Sequence, residues 1–395
     1  MRGERRWLGA LLALLGGPVQ AAPPAPQGHT VVRVSLEASG YHDTDHVDVA
    51  TPTVALGLSD PIAGWSMEGS YLVDAVSAAS VDIVSSATPH WTERRHVGAL
   101  SFRYKPHELG IEVGGGVSRE PDYLALAVGG DLVWDMLEKN LTGMVGISYG
   151  DETAGRTGTP FAVVSHRFTK TTPRAGFTLI VNPSTVFELV GEVALERGNQ
   201  AKPYRYVPVF RPAVAARIGP GTSGDVVNGA RLDWKPEEML PLARNRYAAT
   251  ARLSHRFSGS TLRLEERLYS DDWGLDATTT DLRYIVDLTR SLFAWPHLRV
   301  HLQAPVAFWQ RAYAVEVGPD GNPLEDLPLR TGDRELGPVR SFTAGGGLRW
   351  RLPGQASTWS ITLQGDVVLT RYPDALFISE RMAFFGALSL EAALE

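Results

Sequence analysis

Polar and apolar residues alternate along most of this chain, in segments of ten to thirteen residues. One such segment places Leu109, Ile111 and Val113 on one face and Glu108 and Glu112 on the other. Because successive side chains of a strand point to opposite faces, this two-residue period predicts β-strands. Strands of soluble proteins average about 5–6 residues, whereas a tilted strand needs about 9–11 residues to cross a membrane. The segment lengths therefore favour a membrane barrel over a secreted β-sandwich.

The connections between the segments support the same fold. We predict sixteen strands, near 30–41, 47–59, 64–76, 92–105, 107–118, 123–134, 140–149, 160–181, 185–197, 245–257, 260–271, 277–289, 297–311, 341–352, 357–370 and 381–394. Every long connection follows an odd-numbered strand, namely 77–91, 150–159, 198–244, 312–340 and 371–380. Bacterial barrels have an even strand number, short periplasmic turns and long extracellular loops. The sequence thus predicts an all-β, antiparallel transmembrane β-barrel of about 16 strands. If Pro173 divides the segment 160–181, counts of 14 or 18 also fit.

Composition excludes several classes of protein. Mean hydropathy is −0.10, which is too polar for a bundle of transmembrane helices. The chain has no cysteine, so disulfides and thiolate metal sites are excluded. A net charge of −6 argues against nucleic acid as a partner. No P-loop, dinucleotide-binding fingerprint or HExxH motif is present, and we therefore expect no cofactor and no enzymatic activity.

The N-terminus resembles an export signal. Arg2, Arg5 and Arg6 precede an apolar core at 7–17, which is too short to span a bilayer as a helix. We predict a signal peptide at 1–21 with cleavage near Ala21, a proline-rich periplasmic lead-in at 22–29, and a single barrel domain at 30–395. The alternative is an ordinary N-terminal helix. Export without a helical anchor, combined with a barrel, predicts the outer membrane of a Gram-negative bacterium.

Four separate stretches resemble one protein family. They are 41–47 (YHDTDHV), 73–82 (VDAVSAASVD), 203–205 (PYR) and 268–274 (LYSDDWG). In this order and at this spacing they are similar to the domain of unknown function 3570, a family of Gram-negative outer-membrane proteins. The resemblance covers nearly the whole mature chain. It implies an outer-membrane barrel and implies no particular activity.

If the alternation assigns faces correctly, charged side chains line the lumen. The candidates are Glu188, Glu192 and Glu196 in the first half of the wall and Arg252, Arg256, Arg263, Glu265, Arg267, Arg283, Arg299, Arg349 and Arg351 in the second. Rings of arginine in a pore favour anions or phosphate. A polar conduit that prefers anions is one interpretation. The other is a salt-bridged interior, partly filled by loops. Glu266 breaks the pattern, because it lies on the face that lipid should contact.

Two polar stretches at turns contain potential metal ligands. The first holds His42, Asp43, Asp45 and His46, and the second holds Asp271 and Asp272. Imidazole and carboxylate groups this close together can bind a divalent ion. Aspartate is also common in turns, because its side chain bonds to the backbone of the following residues. The sequence leaves a weak metal site and two ordinary turns as alternatives, and the turns are favoured.

Three functions are compatible with these features. The first is a porin-like conduit for small, possibly anionic solutes. The second is a scaffold within a larger envelope complex, with partners recruited through the loops at 198–244 and 312–340. The third is a membrane-embedded enzyme at the outer rim, which we favour least. All three imply contact with outer-membrane lipid and with the barrel-assembly machinery during insertion.

Overall fold

The computed structural model describes residues 30–78, 91–203, 205–319, 323–354 and 357–394. These residues form a closed antiparallel barrel of sixteen strands, as the sequence predicts. The barrel strands are β1 (Val31–Asp43), β2 (Val47–Asp60), β3 (Trp65–Ala78), β4 (Trp91–Tyr104), β5 (Leu109–Glu120), β6 (Tyr123–Met136), β7 (Leu141–Gly155), β8 (Ser165–Asn182), β9 (Thr185–Gly198), β11 (Ala243–Arg256), β12 (Ser260–Asp271), β13 (Asp276–Asp287), β14 (Leu292–Gln303), β16 (Val339–Pro353), β17 (Ser357–Arg371) and β18 (Glu380–Leu394). The predicted signal peptide 1–21 and lead-in 22–29 lie outside the described residues.

The first and last strands close the barrel. Strand β1 pairs with β2 on one side and with β18 on the other, from Val32 opposite Leu394 to Asp43 opposite Ala383. Because each barrel strand has two neighbours, no sheet edge is left to face lipid, where an unpaired backbone group would cost several kcal/mol. Because the number of strands is even, β1 begins and β18 ends at the same mouth of the barrel, which is the mouth with the short turns.

Prolines within strands explain one predicted boundary that is wrong and decide the strand count that the sequence left open. We predicted a turn at 290–296 and a strand at 297–311, but β14 spans Leu292–Gln303 and includes Pro296. The ladder between β13 and β14 is interrupted at this point, whereas Pro296 still pairs opposite Gly346 on the other side. Likewise β8 runs unbroken through Pro173, where its ladder with β9 has a gap. A proline lacks only the N–H donor, so it weakens one ladder without ending the strand. The count is therefore 16, and not 14 or 18.

Apolar side chains cover the outer surface of the barrel. Exposed examples from around the ring are Leu36, Leu56, Leu100, Ile111, Leu132, Ile147, Leu268, Leu298, Phe342, Leu363 and Leu388. Glu266 does lie on this face, between the exposed Leu264 and Leu268. The hydroxyls of Thr278 and Thr280 on β13 both donate to its carboxylate, the second at 2.6 Å. Glu266, which breaks the alternation in the sequence, is thus a hydrogen-bonded polar residue on the lipid-facing wall.

The long loops fold into a separate layer at one end of the barrel, which we call the cap (residues 199–242, 304–338 and 372–379). It contains the short parallel strands β10 (Val209–Phe210) and β15 (Tyr313–Ala314), helices α1 (Pro212–Ala215) and α2 (Gly224–Ala230), and a 3-10 helix at Arg334–Leu336. Its apolar core includes Val209, Phe210 and Leu336, each almost fully buried. No helix among the described residues is long and apolar enough to cross a membrane. The molecule therefore has two packed parts, a barrel wall and a cap over one mouth.

Substitutions of Glu266 test whether the side chain at this position faces lipid. We expect Glu266→Lys to lower the free energy of unfolding by about 2–4 kcal/mol, because a lysine there faces hydrocarbon near mid-strand. Glu266→Gln should change it by less than about 1 kcal/mol, because an amide oxygen still accepts a threonine hydroxyl. The measurement is denaturant unfolding in detergent or lipid. Glu380→Lys, at the exposed end of β18, is the control. Equal stability of the two lysine variants would contradict this placement.

Candidate functional site: the charged lumen and its cap

Ion pairs between neighbouring strands cover much of the inner wall. The ladder of acids on β9 meets arginines of β11 and β12, and Arg252 lies 2.9 Å from Glu188. Further pairs join Arg252 to Glu265, Arg267 to Glu192, Arg246 to Glu196, Arg256 to Asp287, Arg299 to Asp281 and Arg349 to Glu391. Arg351 lies over the Phe293 ring at 4.7 Å. Because opposite charges alternate across the strands, much of the lumen charge is locally neutralised.

Exposure of these charges changes along the barrel. Toward the end of the short turns, the side chains of Arg252, Arg256 and Arg283 are 44%, 46% and 41% exposed. Toward the cap, the side chains of Glu196 and Asp271 are 4% and 0% exposed. Both groups point inward, so the difference reflects what covers them. On this part of the wall, the inward side chains toward the short turns are water-accessible, and loops pack over those toward the cap.

Two neighbouring arginines depart from the pairing pattern. Arg263 on β12 lies directly opposite Arg283 on β13. Like charges at directly opposite positions destabilise a strand pair. Arg283 Nε is 3.5 Å from Asp281 Oδ1 but makes no hydrogen bond. Among the described residues, no carboxylate lies within 4.0 Å of the Arg263 guanidinium. Among the described residues, these two facing arginines have one carboxylate, Asp281, within 4.0 Å.

A histidine on β14 joins two acids beside this pair. His297 Nε2 lies 2.9 Å from Asp281 Oδ2, and His297 Nδ1 lies 2.8 Å from Asp366 Oδ1. Asp366 is on β17, two strands away, and Gly345 of β16 lies between them in register. A Cβ atom on Gly345 would overlap Asp366 Oδ1. The glycine therefore lets the imidazole reach across an intervening strand.

The same arrangement occurs on the opposite wall. Arg174 of β8 reaches across Gly146 of β7 to Asp131 of β6, with Nε 2.6 Å from Oδ1. A Cβ on Gly146 would overlap the Asp131 carboxylate. Both ion pairs lie flat against the wall and bind three strands together. The sequence alone did not indicate these contacts of His297 and Arg174 with acids on other strands; glycines at lumen positions were the available signal.

The predicted metal ligands are not brought together. His42 points to the outer surface, 60% exposed, and contacts Asp48 at 2.7 Å. Asp43 is buried and accepts hydrogen bonds from the backbone N–H groups of Asp45 and Val47. Asp45 pairs with Arg334 of the cap. His46 occupies the turn with a positive φ of 59°, a conformation that is uncommon for residues other than glycine.

The second stretch repeats the first one in detail. Asp271 accepts from the backbone N–H groups of Trp273 and Leu275, as Asp43 does from residues two and four further on. In both turns a tyrosine two residues earlier donates to the aspartate, Tyr41 at 2.6 Å and Tyr269 at 2.7 Å. Each aspartate also faces an arginine, since Asp43 lies near Arg381 and Asp271 pairs with Arg244. Asp272 accepts from Asn245. The geometry fits the turn interpretation, because the carboxylates are occupied by backbone and arginine donors.

A different acidic group has the spacing of metal ligands. Among the described residues, Glu93, Glu120 and Asp122 place one oxygen each within 4.8 Å of one another. They lie at the long-loop end of β4 to β6. Thr157 donates to Asp122 at 2.9 Å, and Arg95 lies 3.9 Å from Glu120. These carboxylates, together with the nearby arginine and threonine hydroxyl, form a polar rim whether or not an ion is bound.

An ion pair and a hydrogen bond hold the cap to the barrel wall. Arg334 of the cap contacts Asp45 in the β1–β2 turn at 2.6 Å. Arg156, after β7, donates to the Pro203 carbonyl at 2.6 Å. Within the cap, Arg205 and Asp333 join these two regions at 2.7 Å. Because β1 and β7 are far apart in the ring, this chain of contacts extends across the mouth.

The cap has a well-satisfied polar interior. The Tyr313 hydroxyl donates to the Phe308 carbonyl and accepts from the Thr331 N–H, both at 3.0 Å. Burial raises the pKa of this phenol, so it remains neutral at physiological pH. Glu238 accepts from the Thr331 hydroxyl at 2.5 Å. Satisfied buried groups of this kind indicate a specific fold for the two long loops.

Alanine at the two crossing glycines tests the flat ion pairs. We expect Gly146→Ala and Gly345→Ala each to reduce stability by about 2–5 kcal/mol, because the methyl group displaces a buried carboxylate from its partner. Thermal unfolding by circular dichroism measures the loss. Gly191→Ala is the matched control, since its Cβ would meet nothing closer than 4.0 Å. An equal effect at all three positions would exclude the crossing geometry as the cause.

Removing Arg334 tests how the cap is held. Arg334→Ala and Asp45→Asn should each cost about 3–5 kcal/mol, because one partner of a buried pair is left alone. Limited proteolysis should then cut within 304–338 while the barrel remains intact. Arg371→Ala serves as the control, because its pair with Glu380 is exposed and contributes about 0–1 kcal/mol. Unchanged protection of the cap in both variants would show that other contacts hold it.

Comparison with known proteins identifies the family. Three solved structures are similar to this chain at low identity. The outer membrane protein opdK from Pseudomonas aeruginosa has 6% identity and a TM-score of 0.42, and the match covers 92% of this chain and 99% of that one. OprD from Pseudomonas aeruginosa has 8% identity and a TM-score of 0.43, with 93% and 96% covered. The P. putida toluene transporter TodX has 11% identity and a TM-score of 0.38, with 94% and 91% covered.

No curated protein matches the chain. The model of the family described as protein of unknown function (DUF3570) matches residues 13–363. This match covers most of the chain and confirms the resemblance found in the four sequence stretches. The protein therefore belongs to the DUF3570 family.

Proposed function

We propose that this protein is an outer-membrane barrel that passes small solutes, with a preference for anions. One observation carries the proposal: water-accessible arginines line the lumen, and two of them, Arg263 and Arg283, face each other with little compensating charge. Charged groups on a pore wall select permeating ions by sign. An interior needed only to hold the strands together would gain nothing from a like-charge pair.

The orientation follows from the loops. Bacterial barrels place short turns in the periplasm and long loops outside. The water-accessible arginines then belong to the periplasmic half of the lumen, and the cap belongs to the extracellular side. In this orientation the cap controls access to the lumen from outside, and release of the Arg334–Asp45 contact would widen the entrance.

A scaffold function is the second candidate, and the cap supports it. Loops 198–244 and 312–340 are largely folded into the cap, with buried residues such as Val207 and Leu336 at its core. A prefolded extracellular layer can present a rigid surface to an envelope partner. In both proposals the barrel contacts outer-membrane lipid and requires the assembly machinery for insertion. Neither involves a chemical step on a substrate.

Ion selectivity tests the first candidate. We expect discrete conductance steps in planar bilayers, with a reversal potential in a salt gradient that indicates anion preference. Arg263→Glu/Arg283→Glu should move this potential toward cation selectivity, because four units of charge change at one level of the lumen. Arg371→Glu is the control, because Arg371 is exposed at the long-loop end of β17. Arg334→Ala should raise the conductance or the open probability.

Two results would overturn the conduit. One is a folded barrel without steps in both the wild type and Arg334→Ala. The other is a reversal potential that the double variant leaves unchanged. Absence of steps, together with capture of an envelope protein that requires an intact cap, would favour the scaffold.

A further inference from the structure

The facing arginines have the geometry of a binding site. We infer that Arg263 and Arg283 bind an oxyanion, a phosphate, sulfate or carboxylate group, on the lumen wall. This inference deepens the proposed function and rests on it for its biological role, whereas its structural basis is independent of whether the lumen conducts. Strand register, a local shortage of acid and the available hydrogen-bond donors all favour such a site.

Register places the two arginines directly opposite each other on the inner face of neighbouring strands. Arg263 pairs opposite Arg283 across β12 and β13, and opposite residues on one face have Cβ atoms about 4.5–5.5 Å apart. Their row continues to Ser254 on β11 and to His297 on β14. Two long cationic side chains thus start from neighbouring points on the wall and project into the same part of the lumen.

Nearby acid compensates these charges only in part. Among the described residues, Asp281 is the one carboxylate within 4.0 Å of either guanidinium, and it contacts Arg283 only at 3.5 Å. Its other oxygen is held by His297 at 2.9 Å, and Arg299 lies 4.0 Å from that same oxygen. One carboxylate is therefore shared among three cationic or donor side chains. His297 draws Asp281 away from Arg283.

The contrast with the next arginine along the wall is direct. Arg252 lies on β11, one strand from Arg263, with similar exposure to Arg283. It contacts two carboxylates, Glu188 and Glu265. Arg252 thus has two carboxylate partners, whereas Arg263 has none within 4.0 Å among the described residues. A bound anion would supply the missing charge.

The donors suit an oxyanion in particular. Each guanidinium presents a planar fork that can form two parallel hydrogen bonds to a carboxylate or phosphate. The Ser254 hydroxyl, opposite Arg263, adds a neutral donor in the same row. Several oxygens on one central atom can engage both forks at once, whereas chloride offers no such directional pairing. We therefore expect selectivity for oxyanions over chloride.

Thermal unfolding of the protein in detergent, with inorganic phosphate as the probe, tests this site. Ionic strength is held constant with sodium chloride. A ligand that binds only the folded state raises the unfolding temperature as its concentration exceeds its dissociation constant. We expect a saturable rise for the wild type. Arg263→Gln should weaken the apparent phosphate affinity about tenfold or more, because a hydrogen bond to a charged group contributes about 1.5–3 kcal/mol.

A second readout separates binding from folding defects. In phosphate-free buffer at low salt, Arg263→Gln should unfold at a higher temperature than the wild type, because it relieves the repulsion from Arg283. Arg252→Gln should unfold at a lower temperature, because it leaves two acids unpaired. Arg263→Lys should retain part of the phosphate effect, since it keeps the charge and loses the fork. Arg371→Gln, away from the lumen, should respond to phosphate as the wild type does.

The phosphate-dependent unfolding temperature tests the oxyanion site independently of conductance. A phosphate-dependent rise that is lost in Arg263→Gln/Arg283→Gln supports the site. No rise in the wild type, or an unchanged rise in the double variant, overturns it. If the rise is present and planar bilayers show no steps, the conduit fails and the oxyanion site stands. If steps are anion-selective and phosphate has no effect, the conduit stands and the site fails.

Discussion

Closure of the hydrogen-bonded ring is the constraint on which the rest of this structure depends. Within a bilayer the backbone has no water to bond with, so each strand needs a partner on both sides. Pairing of β1 with β18 satisfies this requirement and removes the sheet edges. Once the ring is closed, every strand has one face in lipid and one in the lumen. The two-residue period of the sequence is the direct consequence, and the few departures from it carry specific contacts. Glu266 is an example, because threonine hydroxyls satisfy its carboxylate on the outer face.

The lumen shows how a closed wall manages charge. Ion pairs between adjacent strands neutralise much of it, and two longer pairs cross an intervening strand at Gly146 and Gly345. These crossings keep the side chains flat, so that charge does not fill the lumen. Among the described residues, the Arg263–Arg283 pair is compensated less, by one carboxylate, Asp281, within 4.0 Å of Arg283. Both the conduit proposal and the oxyanion site follow from that local imbalance, and each can fail without the other.

The cap adds a second level of organisation. Its apolar clusters are separate from the lipid-facing surface, and its polar groups bond within it or to the barrel turns. Two of the family's sequence stretches, at 41–47 and 268–274, have a structural role here. Each uses one buried aspartate to hold a tight turn and to bind an arginine, and the first also anchors the cap through Asp45 and Arg334. One of the residues that suggest metal binding in the sequence, Asp45, thus connects the wall to the cap, whereas Asp43 and Asp271 contact arginines of barrel strands.

The sequence by itself determined the barrel, predicted about sixteen strands and assigned a set of charges to the inner face, because these depend on a local period and on segment length. The sequence misplaced β14, because Pro296 locally indicates a turn. In the structure the ladder between β14 and β16 is intact at this position, so the strand tolerates the proline. Only the tertiary structure decided which charges meet. Arg263 faces Arg283, Arg174 reaches Asp131 and His297 reaches Asp366 because of strand register and of glycines on strands between them. The fold of the cap likewise depends on contacts between loops that are far apart in the sequence, such as Arg205 with Asp333. No local sequence pattern predicts such contacts.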